Sequence, residues 1–283
     1  MYMQCRDRNH GGIEPLGSDV AHSEIEPRAG EVDVSIVAPA HNEQENIAQL
    51  VLQVGQAMEP TGFSFEFIIV DDGSIDATRT RIKELMRTHS WLRCIALSNT
   101  PPGRGNGQSA AFHAGFRASR GRVVSSLDAD LQNDPADIPT LLRRMKETGA
   151  DMVQGDRSMA RKDNSIRKFT SWVGRLFRAM ILGDSIRDTG CSLRVMRREI
   201  ALRLPLEYKG MHRFIPVMAR HLGYTVVEMP VNHRPRVAGT TKYGFGILQR
   251  GIPGLIDCFA VRYMRNRRRS VEHAQIGAMG GKP

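Results

Sequence analysis

The sequence predicts an α/β fold on a mixed, mainly parallel sheet flanked by helices, and three observations point to it. Short β-branched runs alternate with segments of helical period from residue 32 onward. Polar motifs fall directly after three of the candidate strands, where ligands gather in open parallel sheets. The chain has 283 residues and 41% apolar content, enough for one sizeable core.

The candidate strands are 32–38, 65–71, 92–97, 123–127 and 151–154, and the helical segments between them are 43–58, 75–88, 108–119 and 137–148. Pro39-Ala40-His41-Asn42-Glu43 follows the first strand, Asp71-Asp72-Gly73-Ser74 the second and Asp128-Ala129-Asp130 the fourth. The second half is less regular. A basic amphipathic helix is expected at 166–182, short strands at 192–196 and 224–229, and then a Gly- and Pro-rich loop. The last element, 246–264, sets Ile247, Ile252, Leu255, Ile256, Phe259 and Val261 among arginines, the pattern of a helix lying on a membrane surface.

These elements divide the chain into a disordered extension at 1–31, a catalytic domain at 32–245, an amphipathic basic helix at 246–269 and a disordered tail at 270–283. The extension lacks the apolar core of a signal peptide. The longest apolar runs fall far short of the roughly 18–20 residues that cross a bilayer, so no spanning helix is expected. Cys5, Cys94, Cys191 and Cys258 form no CxxC pair, which argues against a zinc site or disulfide framework and for a reducing cytoplasm. The net charge is +10, and Arg262, Arg265, Arg267, Arg268 and Arg269 lie within ten residues that contain no acid. Such a tail seeks anionic surfaces.

Two carboxylates, Asp128 and Asp130, at a sheet edge repel each other unless a cation or a donor neutralises them. A divalent metal bridging to a diphosphate resolves that repulsion, and hard oxygen ligands select Mg²⁺ or Mn²⁺. An Asp-x-Asp alone is a weak signal; the preceding strand and the following Leu131-Gln132-Asn133-Asp134-Pro135 strengthen it. Ser74 and Asp76 are expected to cap the next helix. Asp72 is expected to meet a nucleotide. The Asp-x-Asp-x-Thr pattern of an aspartyl phosphatase is missing. His212 is expected to be structural, and Cys191 to be a packed small residue.

Taken together, the motifs resemble the inverting family-2 glycosyltransferases of GT-A fold, particularly the polyprenyl-phosphate type typified by dolichol-phosphate mannose synthase. The resemblance runs from about residue 34 to 263. It rests on the motifs above together with Gly107-Gln108-Ser109-Ala110-Ala111, Asp188-Thr189-Gly190-Cys191, Met211-His212-Arg213-Phe214-Ile215-Pro216, His233-Arg234-Pro235-Arg236 and Lys242-Tyr243-Gly244. It implies that Pro39, His41, Glu43, Val70 and Asp72 hold base and ribose, that Asp128, Ala129 and Asp130 meet diphosphate and metal, and that Gln132 completes the metal shell. His41 stands where the family commonly has Tyr, and an imidazole can still stack on a base. Arg236 and Lys242 would close a loop over the donor phosphates. Arg157 would contact phosphate; with Arg167 and Ser171, four apart on one helical face, it would also receive the lipid phosphate. Asp188 would orient the acceptor or act as base.

The implied reaction transfers a hexose, with GDP-mannose as the favoured donor and a UDP-sugar as the alternative, to a polyprenyl phosphate at the cytoplasmic face of a membrane. A membrane-anchored partner subunit is compatible with this. The acceptor phosphate is largely dianionic at neutral pH, its second pKa being near 6, so it hardly needs a base. The rival reading is a nucleotide-sensing scaffold whose basic tail binds nucleic acid. No recognisable nucleic-acid module accompanies the tail, and no nucleic-acid partner is expected.

Overall fold

The structure is a computed structural model that describes the backbone at residues 31–101, 103–158, 165–235 and 247–269. The expected extension and tail lie outside the described residues, as does the loop bearing Arg236 and Lys242. By its internal contacts the chain divides into two units, one of residues 1–161 with 188–240 and one of residues 162–187 with 241–283.

The first unit is an α/β sandwich. Its seven strands are β1 (Val34–Ala40), β2 (Phe65–Asp71), β3 (Leu92–Ala96), β4 (Val123–Ser126), β5 (Met152–Asp156), β6 (Arg194–Arg197) and β7 (Val226–Pro230), in the order β3-β2-β1-β4-β6-β5-β7. Helices α1 (Ile47–Met58), α2 (Thr78–Leu85), α3 (Gln108–Ala118) and α4 (Asp137–Thr148) connect the first five strands. Helices α6 (Arg198–Arg203) and α7 (Ile215–His221) follow β6. The α/β class and the mixed, mainly parallel sheet stand as the sequence predicted. Most boundaries fall within two or three residues of expectation; α1 starts four residues late because 43–46 fold as a turn instead.

β1 and β2 are buried on both faces and read as near-continuous apolar runs, as central parallel strands do. Gly115 lets α3 lie close on them: a Cβ there would sit 2.3 Å from Val37 Cγ1 and 3.0 Å from Val70 Cγ2. A buried charge in β2, Glu66, is satisfied by the Ser35 hydroxyl at 2.6 Å, the backbone N–H of Arg120 at 2.7 Å, and the guanidinium groups of Arg93 and Arg120. Burial opposes its ionisation; those hydrogen bonds prevail and hold its pKa below the ordinary value. Among the described strands β6 alone runs antiparallel to both neighbours, pairing Ser126 with Arg194 on β4 and Gln154 with Arg194 on β5.

The second unit contains α5 (Ser165–Leu182) and α8 (Ile247–Arg267). Where they touch, they run in the same sense. Phe177 meets Phe259 edge-on, and Arg262 and Arg265 donate to the Ile181 and Leu182 carbonyls at 3.2 and 3.1 Å. Two of the five tail arginines thus satisfy carbonyls at the end of α5, where cations are favoured, in addition to any surface role. Val173, Leu176 and Met180 on α5 and Ile256, Phe259 and Tyr263 on α8 are exposed, each trio at i, i+3, i+7 spacing. Val261, expected on the apolar surface of the last helix, is buried instead. No helix among the described residues is long and apolar enough to cross a membrane.

Candidate functional site

The C-terminal ends of β1, β2 and β4 converge, as the parallel register demands, and bring the three acidic or polar loops together. After β1 the chain turns sharply at Asn42, whose φ is 54°. Asn tolerates this left-handed geometry because its side chain bonds locally; here Asn42 Oδ1 accepts from Ile75 N–H at 2.9 Å, and Ser74 Oγ accepts from Asn42 N–H at 3.0 Å. His41 Nδ1 lies 2.6 Å from the Asp72 carbonyl, so that nitrogen carries the hydrogen. Glu43 accepts from Asn46 Nδ2 at 2.7 Å. Pro39 is half-buried at the strand end.

Two expected nucleotide contacts look different in three dimensions. The Val70 side chain is fully buried beneath α3, so only its backbone is left to face a ligand. Asp72 is buried, and its carboxylate accepts from Asn106 N–H at 2.8 Å, Gly107 N–H at 2.6 Å and Thr100 Oγ1 at 3.1 Å. It anchors the Gly-rich loop that leads into α3. Beside it, a cleft of about 430 Å³ is lined by Gly73, Ser74, Arg79, Ala96, Leu97, Ser98 and Thr100. Ser74 does not cap α2. Asp76 serves that end of the helix, accepting from Thr78 N–H at 2.9 Å and Gln44 N–H at 3.3 Å.

Asp128, Ala129 and Asp130 leave β4 with Ala129 packed inside. Gln108 Nε2 donates to Asp128 Oδ1 at 2.5 Å and Ser192 Oγ to Asp128 Oδ2 at 2.7 Å. Burial pushes the Asp128 carboxyl up to about 6, and the Asp130 charge adds to the rise; the Ser192 hydrogen bond and the charges of Arg157 and Arg194 oppose it. Asp130 Oδ1 accepts from Gln132 N–H at 3.2 Å. Between them Leu131 adopts φ 61°, a left-handed geometry costing a branched side chain on the order of 1–2 kcal/mol. The Gln132 carbonyl accepts from Arg234 N–H at 2.9 Å, and Arg234 ion-pairs with Asp134. The two distant motifs 131–135 and 233–235 therefore form one surface.

Just after β5, Arg157 is buried and donates Nε to Asp188 Oδ2 at 2.8 Å and Nη2 to Oδ1 at 3.1 Å, a two-pronged ion pair. Burial alone would lower the Arg157 pKa; the Asp188 hydrogen bonds outweigh it and hold the guanidinium charged. Cys191 is buried, and desolvation pushes its thiol up to about 11, as suits a packed thiol. His212 is likewise enclosed, with Nδ1 2.8 Å from Ser109 Oγ, and burial, then Arg213 and Arg194, push its pKa down to about 3. Arg167 and Ser171 fall on α5, four residues apart, with side chains outside the described residues.

Two neighbouring carboxylates, one of them raised first by burial and then by the other's charge, are a donor set that a hard cation relieves. Mg²⁺ or Mn²⁺ needs only one or two protein carboxylates when substrate phosphates and water complete the shell. Asp128 and Asp130 fit that requirement. No group of three or more His, Cys, Asp or Glu side chains among the described residues forms a fuller cage. Sequence reasoning gave no role to Gln108, Ser192, Arg194 or Leu131, although Gln108 and Leu131 lie within the motifs it quoted. Gln108 carries a faint signal, following a glycine at a helix start, whereas Ser192 and Arg194 reach the site only through the antiparallel pairing of β6.

The comparisons with known proteins agree with this geometry. The family model described as Glycosyl transferase family 2 matches residues 35–204. The dodecaprenyl-phosphate galacturonate synthase of Rhizobium johnstonii is 35% identical over 236 residues, covering 82% of this chain and 68% of that protein. The undecaprenyl-phosphate 4-deoxy-4-formamido-L-arabinose transferase of Salmonella paratyphi B is 34% identical over 233 residues, covering 82% and 69%. Among solved structures, glucosyl-3-phosphoglycerate synthase from Mycobacterium tuberculosis, in complex with Mn²⁺, UDP and phosphoglyceric acid, is 20% identical with a TM-score of 0.60, covering 86% of this chain and 81% of that one. A mannosyltransferase from Pyrobaculum calidifontis in complex with GDP-Man and Mn²⁺ is 18% identical with a TM-score of 0.60, covering 84% and 65%. With that match over more than half its length and the fold of those neighbours, the chain belongs to glycosyltransferase family 2 and has the GT-A fold.

Proposed function

We propose that this glycosyltransferase moves a sugar from a nucleoside-diphosphate donor to a polyprenyl phosphate, inverting the anomeric carbon. The observation that carries the reading is the Asp128–Asp130 pair at the end of β4, on the same rim as the loops after β1 and β2. The acceptor class comes from the relatives, whose names specify dodecaprenyl and undecaprenyl phosphates. Those names specify galacturonate and a modified arabinose; they lend no support to mannose. We therefore set the GDP-mannose preference aside for a donor bearing another sugar, a UDP-sugar first.

In this reading a phosphate oxygen of the acceptor attacks the anomeric carbon while the bond from that carbon to the diphosphate breaks, and the departing diphosphate takes the electron pair. The attacking monoester is mostly dianionic at neutral pH, so no general base is required. Asp128, Asp130 and Gln132 would hold Mg²⁺ or Mn²⁺, which supplies charge stabilisation to the leaving diphosphate. Pro39, His41, Glu43 and the Val70 backbone would line the seat of base and ribose, and Asp72 would shape it through the Gly-rich loop. Arg157 would offer its charge to phosphate while Asp188 fixes its orientation, a role better matched to that ion pair than proton abstraction. Arg236, Lys242, Arg167 and Ser171 keep their expected phosphate roles. The apolar trios on α5 and α8, with the remaining arginines, would bring the enzyme to an anionic membrane surface, each cation contributing about 1 kcal/mol.

The test is to incubate the protein and Mn²⁺ or Mg²⁺ with undecaprenyl phosphate and a donor panel of UDP-glucose, UDP-galacturonate and GDP-mannose. A lipid-linked sugar from one donor is the expected product. Folded protein that yields no glycolipid from any donor, while Asp130→Ala matches wild type in every assay, sinks the proposal.

A further inference from the structure

The Asp128 carboxylate is held from two sides by residues of different elements. Gln108 is the first residue of α3, and its side-chain amide donates to Asp128 Oδ1 at 2.5 Å and to Ser192 Oγ at 3.2 Å. Ser192 Oγ in turn donates to Asp128 Oδ2 at 2.7 Å. The three side chains close a ring of hydrogen bonds in which each carboxylate oxygen has its own donor.

This ring follows from topology. The antiparallel register of β4 and β6 pairs Ser126 with Arg194; carried two residues further, it sets Asp128 opposite Ser192. The backbone of Ser192 is pinned there because Ser126 Oγ donates to its carbonyl at 2.7 Å. Ser192 is itself buried, at 5% exposure, so its hydroxyl has little water to turn to. Gln108 is locked less tightly, but it extends from a helix whose close approach to the sheet is set by Gly115.

We propose that Ser192 and Gln108 are positioning residues that fix the rotamer of Asp128, so that one carboxylate face is presented to the cation and diphosphate together with Asp130. The inference rests on the metal-assisted reading given above. A carboxylate free to rotate can still attract a cation, but it samples unproductive orientations; residues behind metal ligands typically change metal affinity by roughly 10–100-fold. The effect belongs to the metal-bound nucleotide complex and not to the nucleotide alone.

Calorimetric titration of the full chain with UDP and with GDP, each with and without Mn²⁺, separates these contributions, and the spectrum of bound Mn²⁺ gives a readout independent of turnover. In wild type, Mn²⁺ should tighten at least one nucleotide. Ser192→Ala and Gln108→Ala should each weaken that Mn²⁺-dependent complex by roughly 10-fold or more, with metal-free nucleotide affinity within twofold of wild type and melting temperatures little changed. Ser192→Thr, which keeps the hydroxyl, should recover most of the loss, and it guards against a loss caused by misfolding of the alanine variant. If wild type responds to Mn²⁺ and both alanine variants respond equally, the positioning role is overturned while the metal reading stands. If Mn²⁺ tightens neither nucleotide in wild type, the metal reading fails and takes this inference with it.

Discussion

At the scale of single residues, two half-buried titratable groups pull stability in opposite directions with pH. His212 has a folded value of about 3 against an ordinary 6.5, so the unfolded chain binds more protons between those values. Its contribution is fully present above about pH 6.5 and is lost on acidification. Asp128, at about 6 against 3.8, behaves in the reverse sense: the folded chain holds the extra proton, and the contribution fades as pH rises through 6. In chelator, denaturant melts at pH 5 and 7 should therefore show Asp128→Asn gaining on wild type toward pH 7, and His212→Gln losing less than wild type toward pH 5. Differences that stay constant across that interval would remove both assignments. Single residues were also where sequence reasoning had the least purchase. The Asp-x-Asp pair was legible because acids recur after successive strands. That Asp72 is turned toward loop amides, and Asp188 toward Arg157, depends on side-chain direction, which sequence spacing does not encode.

At the scale of elements, the chain advertised itself well. Parallel strands buried on both faces are necessarily apolar runs, and α4 was legible end to end because apolar residues recur at helical period from residue 138 to 145 and Gly149 stops it with φ 63°. α1 was read too long because the polar 43–46 turn contains residues that helices also tolerate. The direction of β6 was not legible at all: four residues carry no mark of which way they run. The packing of α3 offers a direct check. A methyl group at Gly115 would meet Val37 and Val70 at well under contact distance. Gly115→Ala should cost about 1–3 kcal/mol by overpacking, measured by urea denaturation, and should weaken Mn²⁺-dependent nucleotide binding because Gln108 rides on the same helix. An unperturbed melt would show that the helix can lift away without penalty.

At the scale of the whole molecule, the proposed membrane contact belongs to the α5–α8 unit. The second unit exposes Ile256 at 62% and Met180 at 66%, large apolar side chains with no covering partner among the described residues. Replacing Ile256 and Phe259 by glutamate should cut cosedimentation with vesicles containing anionic lipid several-fold while leaving nucleotide binding intact; equal sedimentation would reassign the face. Domain boundaries were read from composition, which detected the basic helix at the end but could not foresee that α5, far earlier in the chain, would be its companion.

The reversed direction of β6 has a consequence for how this enzyme can vary. Because Ser192 meets Asp128 through an antiparallel register, deleting Leu193 or inserting one residue after it would slide Cys191 or Leu193 into its place and turn the hydroxyl to the opposite face of the sheet. Loops elsewhere on the rim can lengthen or shorten with modest penalty. This stretch cannot, so natural length polymorphism and engineered grafts alike should stop at its borders.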